Sequence, residues 1–177
     1  MTARRSSGHA GFDHGGRSTV YGPTMRADER LKELGIELPP VPPPVANFIR
    51  ARRVDNLLYL SGHGPVHPDG RRDRGKAGTD LSVDQAKRSA RLTGLNLLAT
   101  LRAELASLDR VSKVVKVLGM VNSGPGFDRQ PEVMDGFSDL MVEVFGEAGR
   151  HARSAVGMAE LPFGIPVEIE MIVELND

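Results

Sequence analysis

The chain has 177 residues, of which 40% are hydrophobic and 26% are charged, enough for one globular domain with a single core. Its 23 Lys and Arg residues balance its 23 Asp and Glu residues, which argues against a dedicated nucleic-acid binder. Cysteine is absent, which excludes disulfides and thiolate chemistry and fits a reducing compartment, so we expect a cytoplasmic protein. No apolar run approaches the ~20 residues of a membrane helix, so no membrane contact is expected.

The N-terminal residues are predicted to lie outside the compact domain. Residues 1–24 are rich in Gly, Ser, His and Arg with little apolar periodicity, which predicts a disordered tail. Translation starting at Met25 is an alternative reading of the same segment. Residues 25–44 follow as a short helix over residues 27–34 and a Pro-rich extended linker. The compact domain is expected to cover residues 45–177.

The domain is predicted to open with a β-hairpin. Residues 46–52 alternate loosely between apolar and polar, and residues 57–61 form a short apolar run. Residues 53–56 between them are expected to form the turn. Residues 62–78 hold many Gly, Pro and charged residues, which predicts a loop.

Two long helices are predicted to alternate with the remaining strands. One begins at a cap on Asp80 or Ser82 and reaches about Leu105, and the other spans residues 131–144 behind a helix-opening proline. Strands are predicted at residues 114–121, 154–159 and 167–175. The order β-β-α-β-α-β-β describes an α+β layer with two helices on one face of a sheet. The other face also needs a cover, and a second copy of the chain is the obvious one.

Three segments resemble the RidA/YjgF family of small trimeric proteins. They are residues 56–62 (Asn-Leu-Leu-Tyr-Leu-Ser-Gly), residues 108–117, and residues 151–156 (His-Ala-Arg-Ser-Ala-Val) with a following Leu-Pro and a Val-Glu-Ile-Glu strand. The family pattern for the last segment is Pro-Ala-Arg-Ser, Leu-Pro and Ile/Val-Glu-Ile-Glu, and the resemblance spans about residues 45–175. It implies the fold of Bacillus-type chorismate mutase, a homotrimer with a central β-barrel and the helices outside.

The resemblance also implies a reaction, the cofactor-free and metal-free hydrolysis of small 2-imino acids or enamines to 2-oxo acids and ammonia in clefts between subunits. Arg153 matches the arginine that grips the substrate carboxylate with a planar guanidinium. Glu168 matches the glutamate that positions and activates water. Ser61 and Gly62 match a Ser-Gly pair whose backbone contacts the ligand, and the backbone N–H of Ala155 is expected to point at a carboxylate.

Several positions refine or depart from that pattern. Glu170 shares the face of Glu168 by period-two alternation and is a weaker candidate for the site. Phe48 stands where active members often carry Tyr, so a hydroxyl is missing from the substrate-binding set. His63 replaces a Gln and is expected either to titrate in the cleft or to lie in a solvent-facing loop. Gly157 replaces a Glu or Gln, and together these departures favour a divergent subgroup.

Other functions stay open on the sequence alone. A non-catalytic trimer that binds a small carboxylate would use the same arginine, and the missing hydroxyl at Phe48 favours it. RNA cleavage is suggested by the "endoribonuclease L-PSP" label of relatives, although the neutral charge and the lack of a His/Lys catalytic cluster count against it. A chorismate mutase would have to hold a dicarboxylate, for which one arginine is thin support.

Overall fold

The computed structural model describes residues 26–41 and 47–176. The tail predicted at residues 1–24, part of the Pro-rich linker and the first residue of the predicted first strand lie outside the described residues. The helices are α1 (Ala27–Glu33), α2 (Val83–Leu105) and α3 (Gln130–Phe145). The strands are β1 (Ala51–Val54), β2 (Leu57–His63), β3 (Val111–Asn122), β4 (Ala152–Met158) and β5 (Val167–Leu175).

The five strands form one sheet in the order β1-β2-β5-β3-β4. Neighbouring strands are antiparallel except β3 and β4, which run parallel because the chain returns between them through α3. Both long helices pack on the same face of this sheet. The structure therefore confirms the predicted α+β fold with the order β-β-α-β-α-β-β and two helices on one face.

The structure corrects the bounds of the first strand, which was predicted at residues 46–52. The strand starts at Ala51 and continues to Val54, because Asp55 adopts a positive φ of 52° and makes a two-residue turn with Asn56. Asp and Asn tolerate this left-handed conformation better than most residues with a Cβ. The turn is therefore shorter than the four residues predicted from the sequence.

The second strand corrects the predicted loop at residues 62–78. Leu60 pairs with Met171 and His63 pairs with Ile169, so β2 advances by three residues over a stretch in which β5 advances by two. This bulge carries the strand past Ser61, and the loop begins only at residue 64.

The start of α2 follows from local hydrogen bonds, whereas α1 is held by hydrogen bonds to a distant part of the chain. Ser82, rather than Asp80, caps α2: its hydroxyl accepts from the backbone N–H of Gln85, whose side chain accepts from the Ser82 N–H. The carboxylate of Asp28 accepts hydrogen bonds from Ser107 at 2.6 Å and from the backbone N–H of Leu108 at 3.1 Å. Since Leu31 is also buried, α1 packs as part of the domain.

The core lies between the helices and the sheet. Alternate residues of β5 are buried against the helices, as the period-two pattern predicts, and the residues between them lie on the other face. The largest fully buried side chains include Leu97, Leu101, Phe137, Leu140, Met141, Val117, Ile169 and Met171. A Cβ added at Gly136 would lie 2.9 Å from the carbonyl carbon of Lys87, so the α2 and α3 backbones are in direct contact.

The second face of the sheet, which we call the open face, has no helix of the described residues over it. Every second side chain along a strand points to this face, and large side chains there remain partly exposed to solvent: Tyr59 is 41% exposed and Val156 is 40% exposed. Among the residues that the structure describes, no helix is long and apolar enough to span a membrane.

Candidate functional site

A cleft of about 720 Å³ lies on the open face of the sheet. Of the predicted substrate-binding residues, it gathers Phe48 and Ser61, and Glu170 also lines it. The Ser61 hydroxyl donates to the carbonyl of Ile49 at 2.7 Å, which holds the segment before β1 against β2. The remaining lining residues are Asn47, Ile49, Arg52, Tyr59, Leu60, Lys116, Leu118, Met171 and Ile172.

Glu168 and Gly62 are in direct contact on this face. A Cβ added at Gly62 would overlap the Glu168 carboxylate, lying 2.9 Å from its Cδ atom. The glycine therefore provides the space that the carboxylate occupies. Burial raises the pKa of Glu168 above its ordinary value, and the charge of Glu170 on the same strand raises it further. Glu168 is thus a carboxyl group that exchanges its proton nearer to neutrality than a free glutamate.

Lys116 and Tyr59 are among the polar side chains of the cleft that were not predicted from the sequence. Lys116 lines the cleft and donates a hydrogen bond to the Ser154 hydroxyl at 2.7 Å, and Tyr59 brings a phenol to the same cleft. Period-two alternation along β3 and β2 could have found both, because it places them on the same face as Glu168.

Arg153 lies on the opposite face of the sheet, on the edge strand β4. Its Nη1 donates to the Asp135 carboxylate at 3.0 Å and to the Ser138 hydroxyl at 2.9 Å, both on α3. Its side chain is 23% exposed. Within the described part of the chain, Nη2 and Nε make no hydrogen bond, so one edge of the guanidinium is held and the other is available.

His151 extends this contact by one more hydrogen bond. Its Nε2 lies 3.1 Å from the Ser138 hydroxyl and its Nδ1 lies 2.7 Å from the Gly149 carbonyl. Because a carbonyl only accepts, Nδ1 carries the proton and Nε2 accepts from Ser138, which describes a neutral imidazole. Burial lowers the pKa of His151, and the nearby charges of Arg153 and Lys116 also lower it.

The structure corrects the expectation that the His63 side chain lies in the cleft or in a solvent-facing loop. The ring is buried on the helix face of β2, where Nδ1 donates to the Ser61 carbonyl at 2.7 Å and Nε2 accepts from Thr100 at 2.8 Å. The cause is the bulge in β2, which turns His63 to the side opposite Gly62. Burial lowers the pKa of His63, and the charge of Arg50 contributes to the same shift.

The two other residues of β4 named from the sequence lie on the same face as Arg153. Ala155 is partly buried against the core, and it pairs with Gly119 of β3. A Cβ at Gly157 would lie 2.8 Å from Nε2 of Gln130 and 3.1 Å from the Ser123 hydroxyl. Gln130 thus fills the space beside Gly157, which explains why a larger residue is absent there.

Apart from His63, the predicted site residues form two groups within one chain. The open-face group, which we define as Phe48, Ser61, Gly62, Glu168 and Glu170, lies on the open face, where three of its members line the cleft and Gly62 contacts Glu168. The edge group, which we define as Arg153 and Ala155, lies on the helix face of β4. Glu168 and Arg153 do not meet in a single chain, because the sheet lies between their side chains.

Comparisons with known proteins agree with this architecture. A family model described as "YjgF/chorismate_mutase-like, putative endoribonuclease" matches residues 28–175. Protein TCP17 of Trypanosoma cruzi is 42% identical over 153 residues, covering 86% of this chain and 96% of that protein. A 2-iminobutanoate/2-iminopropanoate deaminase of Dermatophagoides farinae is 30% identical over 141 residues, covering 80% of this chain and 95% of that protein.

A solved structure gives the same result in three dimensions. The crystal structure of Atu1372 from Agrobacterium tumefaciens, a protein of unknown function, is 43% identical with a TM-score of 0.78, covering 85% of this chain and 92% of that one. A mixed five-stranded sheet with two helices on one face, together with the family match, defines a chorismate mutase-like α+β protein. The chain belongs to the YjgF/RidA family, within which it is related to the imine deaminases.

Proposed function

We propose that the protein hydrolyses small 2-imino acids or their enamine tautomers to 2-oxo acids and ammonia, without a cofactor, at clefts between the subunits of a homotrimer. The observation that carries this proposal is the half-buried Glu168 carboxyl group, which sits against Gly62 and has a raised pKa. This group can take up and return a proton near neutrality, which imine hydrolysis requires.

Arg153 is proposed to bind the substrate carboxylate. Its Nη1 is held by α3, while Nη2 and Nε have no partner among the described residues. Two parallel N–H donors match the two oxygens of a carboxylate, which a lysine cannot do. The substrate would thereby be fixed by the end of the molecule that does not react.

The chemistry then balances with one water and one carboxyl group. The imine reacts in its protonated, iminium form, which has taken one proton from the solvent. As the water oxygen bonds to the iminium carbon, the Glu168 carboxylate takes a proton from that water, giving a neutral carbinolamine and a protonated Glu168. Glu168 then returns this proton to the amino nitrogen, the carbon–nitrogen bond breaks and ammonia leaves, and the carbinolamine hydroxyl gives its proton to the solvent as the 2-oxo acid forms. The Glu168 carboxylate is regenerated, water is the co-substrate, and no oxidant is consumed.

The two groups are proposed to come from different subunits. In one chain Glu168 faces the open side of the sheet and Arg153 faces the helix side of its edge strand. The open face also carries partly exposed apolar side chains, which a neighbouring subunit would bury. Packing the open faces together around a three-fold axis would cover these side chains and set the edge strand of one copy beside the cleft of the next.

The relatives support the reaction, although this chain departs from the pattern at Phe48. The Dermatophagoides farinae relative carries the name 2-iminobutanoate/2-iminopropanoate deaminase. Phe48 lines the cleft without a hydroxyl, but Tyr59 lines the same cleft. We propose that the phenol of Tyr59 supplies the polar contact that Phe48 lacks.

Ammonia release from freshly generated 2-iminopropanoate tests the proposal. The protein is expected to accelerate release above the rate in buffer, and Arg153→Ala is expected to lower kcat/KM at least ~10²-fold, the usual loss when a charged partner is removed. Arg150→Ala is the matched control, since Arg150 is exposed and, among the residues that the structure describes, forms its ion pair with Glu147 alone. A wild-type rate equal to that of buffer rules out the deaminase.

A non-catalytic carboxylate-binding trimer is the second candidate, and the missing hydroxyl at Phe48 favours it. Such a protein would be stabilised by 2-oxo acids through Arg153 but would release no ammonia. Tyr59→Phe separates the two functions, because it is expected to lower turnover in a deaminase, whereas a pure binder releases no ammonia with or without the phenol.

A further inference from the structure

We propose that Asp135, Ser138 and His151 are positioning residues for Arg153: they hold one edge of its guanidinium so that the other edge is kept for the substrate carboxylate. This inference rests on the proposed function, because it assigns supporting roles around the same arginine. None of the three residues touches the substrate in this account.

The contacts form one continuous chain of hydrogen bonds with a defined direction. Arg153 Nη1 donates to the Ser138 hydroxyl at 2.9 Å, and that hydroxyl in turn donates to Nε2 of His151 at 3.1 Å. Nδ1 of His151 donates to the Gly149 carbonyl at 2.7 Å, which anchors the chain on the backbone after α3. In the neutral imidazole each group thus has one assigned role, because Nδ1 of His151 must donate to the carbonyl and Nε2 is left as the acceptor for the Ser138 hydroxyl.

Asp135 holds the same nitrogen from a second direction. Its carboxylate accepts from Nη1 at 3.0 Å, and it lies one turn before Ser138 on α3, on the same face of the helix. Two acceptors on one nitrogen of a planar fork fix its rotation. Long cationic side chains lose much rotamer freedom on binding, and an arginine fixed beforehand loses less.

His151 is the part of this arrangement that departs from the family pattern, which has proline at that position. A proline has neither the ring nitrogens nor the aromatic edge that this chain uses. The His151 ring meets Phe137 edge-on, with 5.8 Å between ring centroids, so packing and hydrogen bonding together hold it in place. The chain has thereby gained a support for Ser138 that the usual residue cannot provide.

Paired substitutions separate positioning from simple charge effects. Asp135→Asn keeps an acceptor for Nη1 and removes a negative charge, whereas Asp135→Ala removes both. If Asp135 positions Arg153, the affinity for 2-oxobutanoate is expected to be unchanged or higher in Asp135→Asn and about 10-fold lower in Asp135→Ala. If Asp135 only weakens the positive charge of Arg153, both variants bind more tightly, and the proposal is overturned.

The other two residues have matched pairs as well. Ser138→Ala is expected to weaken 2-oxobutanoate binding about 5- to 10-fold, and Ser138→Thr, which keeps the hydroxyl, is expected to restore it. His151→Phe keeps the aromatic contact with Phe137 but removes the acceptor, and about a 3-fold loss is expected. His151→Gln restores an acceptor and is expected to bind within 2-fold of the wild type, a difference we take as about the resolution of such titrations.

Calorimetric titration of the full-length protein with 2-oxobutanoate, combined with steady-state assays and thermal unfolding, gives the test. We expect KM and Kd to rise together while kcat stays nearly unchanged, because the carboxylate is held equally in the ground and transition states. The unfolding temperatures are expected to stay unchanged. Affinity losses that follow losses of unfolding temperature, or conservative variants that fail to restore affinity, overturn the positioning roles. Absence of binding to the wild type overturns them too, whereas binding without ammonia release overturns only the deaminase.

Discussion

The two faces of the sheet differ in what they bury. Toward the helices, β5 presents Val167, Ile169, Met171 and Val173, all nearly inaccessible to solvent. Toward the open side, the same strand presents Glu168 and Glu170 beside apolar residues of neighbouring strands. One strand thus serves both as a wall of the core and as a carrier of ionisable groups, and period-two alternation separates the two roles.

This difference shows where the protein tolerates an unfavourable electrostatic environment. The helix face is closely packed, and its buried polar side chains include the hydrogen-bonded pair of His63 and Thr100. On the open face a carboxyl group with a raised pKa is kept half-buried beside a second carboxylate. Groups held at such a cost are typical of functional sites rather than of structural ones.

The largest expected effect is on the open face, from Glu168→Gln. We expect kcat to fall about 10³-fold, because an amide cannot accept the proton of water. The unfolding temperature at neutral pH should rise, because a raised folded-state pKa means that ionised Glu168 costs the fold stability above its unfolded pKa. Glu170→Gln is the matched control with a smaller kinetic effect. A stable Glu168→Gln protein with unchanged turnover would remove Glu168 from the mechanism.

Gly62→Ala should separate the site from the fold. The added Cβ displaces the flexible carboxylate end of Glu168 rather than backbone, so we expect about a 10²-fold loss of kcat with little change in unfolding temperature. The double variant with Glu168→Gln should be no slower than Glu168→Gln alone, since both act on the same group. Additive losses in this double-mutant cycle would show that Gly62 acts independently of the carboxylate.

Gly136→Ala, on the helix face, should lower the stability of the fold rather than the activity. Its Cβ would meet the Lys87 backbone, which cannot move without separating α2 and α3. We expect the free energy of unfolding to fall by about 2 kcal/mol, as in other overpacked interiors, with kcat little changed in the folded fraction. Chemical denaturation measures this loss, and Gly126→Ala tests a glycine with open space around it but a left-handed backbone. Equal stability of Gly136→Ala and the wild type would contradict the helix contact.

The smallest expected effect is the pH dependence that comes from His63. Because the pKa of His63 is lowered in the folded protein, the unfolded chain binds a proton at His63 more readily than the folded chain at pH values below the ordinary pKa of 6.5. Stability should therefore fall as the pH drops through that value toward the folded-state pKa, by at most about 1.4 kcal/mol per pH unit. His63→Gln should reduce this slope in thermal unfolding between pH 7 and 5, and an unchanged slope would show that His63 is not its source.

The sequence predicts the fold well because both long helices and the last strand have uninterrupted periodicity. It fails locally where one residue breaks the period. The bulge between Leu60 and His63 turns His63 to the helix face, whereas strict alternation would place it on the open face with Glu168. The support of Arg153 by Asp135 and Ser138 could not be predicted either, because it depends on how α3 is rotated against β4.

Arg153 and Glu168, the two residues that the family resemblance implies for catalysis, lie on one sheet, yet a single chain places them on opposite faces. That arrangement is the reason for proposing a site shared between subunits. It also makes the two residues separable by mixing variants, because each site would take its arginine from one chain and its glutamate from another.

Subunit complementation tests this claim most directly. Inactive Arg153→Ala and Glu168→Gln proteins are dissociated, mixed in equal amounts and reassembled, and ammonia release from 2-iminopropanoate is then measured. In a cyclic trimer with shared sites, about one site in four combines both native residues, so about a quarter of the wild-type activity should return. If reassembled mixtures with confirmed subunit exchange stay inactive, Arg153 and Glu168 do not act together across an interface.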